Sequence, residues 1–152
     1  MKLAEALIQR TDCKKRMEQL KERMSNNARV QEGEQPAEDA LILLRQYDRI
    51  ATEFEDLVRK INRTNLAARI DAEQSLTDAL AKRDVLRLRY RTYSELADAA
   101  TVILDRYSRS EIPLRSAVDV TELRDQAHQI AAQCRVLEGA IQKLNWEVDL
   151  QD

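Results

Sequence analysis

LRDQAHQIAAQCRVLEGAIQKLNWEV, residues 123–148, decides the fold. Leu123, Ala127, Ile130, Cys134, Leu137, Ile141, Leu144 and Val148 recur at alternating steps of four and three without a miss. That period keeps one face of an α-helix apolar and is the cleanest heptad pattern in the chain. Asp119 and Glu122 stand at capping-box spacing ahead of it, with Asp in place of the usual Ser or Thr.

Working outward, three more stretches carry helical periodicity. Leu3, Ala6, Cys13, Met17, Leu20 and Met24 predict a first helix over about 3–24, with Arg10 standing in the stripe. Leu43, Tyr47, Ile50, Phe54, Leu57 and Ile61 predict a second, starting near Pro36 or Ala37 and ending near Ile61 or Asn62. The third is capped at Ser75 or Thr77 and runs to about Arg106. It has two apolar stripes. One is Ala79, Leu86, Tyr90, Tyr93, Ala97, Ala100 and Leu104, interrupted by Arg83; the other is Val85, Leu88, Leu96, Ala99 and Ile103. Two apolar faces require two sets of neighbours, either a central place in the monomer or an oligomer interface. Pro113 bars helix from the third connection, where Ile112, Leu114 and Val118 suggest a short strand or an extended cover.

Composition agrees. The 152 residues include two glycines and two prolines, too few for the turns of a β sandwich or for a phosphate-cradling loop. Gly139 alone lies inside a predicted helix, where a missing side chain suits a close neighbour. The expected fold is all-α: one domain over 1–152, an elongated antiparallel four-helix bundle with coiled-coil-like packing.

Charge alternates along the chain. Residues 1–24 hold seven Lys/Arg against four Asp/Glu, 32–56 two against eight, 82–91 five against one, and 119–152 three against seven. The net charge of -2 gives no global basic field for nucleic acid or an anionic membrane. No apolar run approaches a membrane span, and Glu5 breaks any export signal. The two cysteines, Cys13 and Cys134, sit on apolar stripes without CxxC spacing, which suits buried thiols in the cytoplasm.

No catalytic constellation is legible. The single histidine, His128, has no second Glu-x-x-His partner motif, and Glu53, Asp56, Asp78 and Asp84 are acids at ordinary surface spacing. Cofactor and metal are read as none. Arg87 and Arg91 lie one turn apart and read first as partners of acidic helices, then as contacts for an anion. Arg10 and Arg83 each break an apolar stripe and are the candidates for a polar core layer, paired with acids to fix register. The candidate oligomer interface comprises Val85, Leu88, Leu96, Ile103 and Trp146.

The segments LAEALIQRTD (3–12), INRTN (61–65), LTDALAKRDVL (76–86), RYSRSEI (106–112), VDVTEL (118–123) and IQKLNW (141–146) resemble an uncharacterised bacterial family, some members of which are labelled septicolysin. The resemblance spans nearly the whole chain. It implies no reaction, ligand, partner or functional residue; the label implies a lytic protein. The leading expectation is a self-associating structural or interaction protein, a homo-oligomer rather than an enzyme, with the small-molecule ligand unspecified. The alternatives are an anion- or nucleotide-handling enzyme using Arg10, Arg83, carboxylates and a metal, and a pore-forming protein.

Overall fold

The computed structural model describes residues 1–102 and 112–152. Its four helices are α1 (Leu3–Asn27), α2 (Ala40–Ala67), α3 (Leu76–Ala100) and α4 (Val120–Glu147), with no strand among the described residues. The all-α four-helix expectation holds. The chain forms two compact units, one of 1–69 with 142–152 and one of 70–141.

In the first unit α1 and α2 run antiparallel. At one end Asn27 Oδ1 accepts the Glu38 N–H at 3.0 Å, and Arg23 grips the Glu38 carboxylate in a two-pronged contact. At the other end the residues after α4 lie against the start of α1 and the end of α2. Leu3 N–H donates to the Val148 carbonyl at 3.0 Å, Leu150 N–H to the Met1 carbonyl at 2.9 Å, and Gln151 N–H to the Thr64 hydroxyl at 2.9 Å. Lys2 pairs with Asp149 at 2.9 Å. The stripes read from sequence supply the core: Leu3, Ala6, Cys13 and Leu20 from α1, and Leu43, Ile50, Leu57 and Ile61 from α2, are all buried.

The start of α2 differs from expectation, whereas its far end takes the further turn that the weakly loop-like residues after Asn62 allow. It begins at Ala40 because Asp39 is the N-cap, its carboxylate accepting from the Leu41 and Ile42 N–H groups. Pro36 therefore stays in the connection, along with Gly33, whose φ of +87° needs a residue without a side chain. The far end continues to Ala67, past Asn62: Thr64, poor in helix propensity, is held by its own hydroxyl bonding back to the Lys60 carbonyl at 2.8 Å.

In the second unit α3 and α4 also form an antiparallel pair. Arg124 near the start of α4 reaches Asp98 near the end of α3 at 3.1 Å, and Arg87 pairs with Glu138 further along. Ser75 caps α3 in a capping box with Asp78. Asp119 caps α4, accepting the Glu122 N–H at 3.0 Å. The helix α3 stops at Ala100, short of Arg106. The Thr101 N–H turns back to the Asp98 carbonyl, and its hydroxyl donates to the Ala97 carbonyl at 2.8 Å. The expected stripe residues Ile103 and Leu104, and Arg106 itself, lie outside the described residues.

Three further expectations are corrected. Ile112, Leu114 and Val118 are exposed and form no strand, although Leu114 and Val118 border a groove with Leu96 and Ala99 of α3; Pro113 removes a donor and fixes the backbone there. A side chain at Gly139 would meet nothing within 4 Å, so no close neighbour explains the glycine. Cys13 is buried as expected, but Cys134 is only half-buried, because α4 meets α3 across a shallow groove at that point.

Candidate functional site

The two stripes of α3 differ in burial in the second unit, although Tyr90 of the first stripe is exposed. Leu76, Ala79, Leu86 and Ala97 are buried against the unit's interior. Val85, Leu88 and Leu96 point away from it, with 53%, 60% and 46% of their surface exposed. A helix turns 100° per residue, so these three and Ala99 share one outward face with Thr92. Its flanks differ in sign. Lys82 and Arg89 border one side, Asp84 and Glu95 the other. Arg83, one of the two expected core arginines, is half-buried and contacts Asp84 of its own helix at 2.7 Å, with both contacts on Oδ1.

Beside that face, the second unit holds a groove of about 470 Å³ lined by Arg87, Tyr90, Arg91, Ser94 and Glu95 of α3 and by Ala131, Cys134 and Arg135 of α4. The hydrogen bond that Arg87 donates to the Glu138 carboxylate fixes it and raises its already high pKa, with Cys134 beside it adding to the effect. Arg91 and Arg135 are exposed and make no ion pair among the described residues.

Of the other expected residues, Arg10 and Trp146 belong to the first unit. Arg10 is half-buried on α1 and makes no ion pair among the described residues. Trp146, 54% exposed, lines a groove of about 380 Å³ with Leu7, Ile8 and Thr11 of α1. Ile103 is outside the described residues. Among those residues, no three His, Cys, Asp or Glu side chains gather where they would hold a metal ion, and no helix is long and apolar enough to cross a membrane.

Residues 10–150 match a family of unknown function, DUF6847. The chain belongs to this family. The chain is also similar to a crystal structure of a functionally unknown conserved protein from Corynebacterium diphtheriae, 43% identical, with a TM-score of 0.94 and 99% of each chain covered. No curated protein matches. Neither description mentions septicolysin or lysis. The groove between α3 and α4 was not legible in the sequence. Arg87 and Arg91 were legible at one-turn spacing, but nothing in the α4 pattern announced that Cys134 and Arg135 would face them.

Proposed function

We propose that this chain is a self-associating helical interaction protein of the cytoplasm, working without a cofactor, and that a second copy covers the outward face of α3. The observation that carries the reading is the exposed run Val85, Leu88 and Leu96. Completing the burial of each such side chain contributes roughly 1 kcal/mol. The buried side chains that the second unit takes from α3 are two leucines and two alanines, a small core for a helical layer.

The flanks favour a copy of the same helix as occupant. In a parallel pair, opposite flanks meet, and Asp84 of one copy comes opposite Arg89 of the other at the five-residue spacing of paired coiled-coil flanks. The second Asp84 oxygen is left over by Arg83, which uses Oδ1 alone. The free thiols Cys13 and Cys134 support a reducing compartment. Sedimentation equilibrium of the whole chain at micromolar concentration tests the reading. A mass that is a multiple of 17.6 kDa is expected; a single 17.6 kDa species refutes it.

A further inference from the structure

The groove between α3 and α4 of the second unit has a chemistry that self-association through the outward face does not use. Its apolar and thiol lining is Tyr90, Ala131 and the half-buried Cys134. Its lining also holds three arginines and one carboxylate, Glu95. Glu138 engages Arg87, whereas Arg91 and Arg135 hold no ion pair among the described residues, although Glu95 lies one turn from Arg91. Two guanidiniums from different helices, each with a planar fork of donors, thus line one groove with these residues.

We propose that this groove binds a small organic oxyanion, its phosphate or carboxylate head held by Arg91 and Arg135 and its apolar or flat body lying on Tyr90, Ala131 and Cys134. The volume of about 470 Å³ falls in the range of small-molecule sites and far exceeds a bare phosphate ion. Arginine suits the head because its fork matches both carboxylate and phosphate oxygens. Tyr90, 43% exposed, supplies an aromatic side chain to the lining for the body. The groove takes Glu95 from the edge of the outward face but none of Val85, Leu88 and Leu96, so the double variant below reads its occupancy apart from oligomeric state.

Calorimetric titration of the whole chain with inorganic phosphate, adenosine monophosphate and octanoate tests this. One of the two organic anions is expected to bind at least about tenfold tighter than inorganic phosphate, and which of the two does so distinguishes a phosphate head from a carboxylate head. The same anion is expected to slow iodoacetamide modification of Cys134. The double variant Arg91→Gln with Arg135→Gln is expected to lose that binding while keeping its helical circular dichroism. Three results overturn the proposal: no organic anion binding better than inorganic phosphate, binding undiminished in the double variant, or Cys134 already shielded in the unliganded protein and released on dilution, which makes a second copy the occupant.

Discussion

The Thr64 hydroxyl accepts the Gln151 backbone N–H at 2.9 Å while donating to the Lys60 carbonyl at 2.8 Å. One fully buried side chain thus closes a helical turn of α2 and holds the segment that follows α4. Thr64→Val keeps the shape and removes both bonds, leaving a backbone N–H without its partner. Such a loss costs about 1–3 kcal/mol. Urea unfolding is expected to show that loss, and amide exchange at Gln151 is expected to accelerate. Unchanged exchange at Gln151 contradicts the role given to Thr64.

Gly139 gives a prediction of opposite sign. It sits within α4, exposed, with open space where a Cβ would stand. Gly139→Ala therefore adds helix propensity without a clash and is expected to stabilise the chain by about 0.8–1 kcal/mol. A destabilised variant in thermal or chemical unfolding contradicts this.

The four helices were legible because each carries an apolar stripe of period near 3.6, and the stripe residues Leu3, Leu43, Ile61, Leu86 and Ile141 are buried. Their ends were less so. Stripes mark the interior of a helix, whereas ends depend on single side chains: Asp39 took the α2 cap that Pro36 suggested earlier, and Thr64 carried α2 past its apolar pattern. The second stripe of α3 was legible as a face, but the sequence left two neighbours open for it. In the folded chain Val85, Leu88 and Leu96 of that face are exposed. The groove residues were hardest to see, since Arg135 and Cys134 face Arg91 only through tertiary pairing.

The two cysteines differ in environment. Burial raises the Cys13 thiol above its ordinary pKa of 9.0, and the Glu53 carboxylate adds to the rise. A raised thiol pKa means the folded state holds its proton longer than the unfolded state. The associated stability is therefore complete below the ordinary thiol range and lost as pH rises through the folded value. Unfolding followed from pH 8 upward, on the order of two units, is expected to show a fall that Cys13→Ala removes. Iodoacetamide is expected to modify Cys134 well before Cys13 in the native protein; equal rates contradict the burial assigned to Cys13.

Arg23 and Glu38 tie the end of α1 to the start of α2. The hydrogen bond from Arg23 holds the Glu38 carboxyl below its ordinary 4.5. The sign is that of a depressed acid: the contribution is present above the ordinary value and disappears as pH falls through the folded one. A carboxyl titration followed by NMR is expected to place Glu38 below 4.5 and to return it there in Arg23→Gln. An unshifted Glu38 in the parent chain contradicts the pairing.

Sedimentation velocity on three chains tests the central claim most directly: the parent, Leu88→Glu and Val136→Glu. Leu88 lies on the outward face of α3, whereas Val136 is a still more exposed apolar residue, on α4. The parent and Val136→Glu are expected to sediment together as an oligomer, and Leu88→Glu as a 17.6 kDa monomer. A monomeric parent, or an oligomer that survives Leu88→Glu, contradicts self-association through α3.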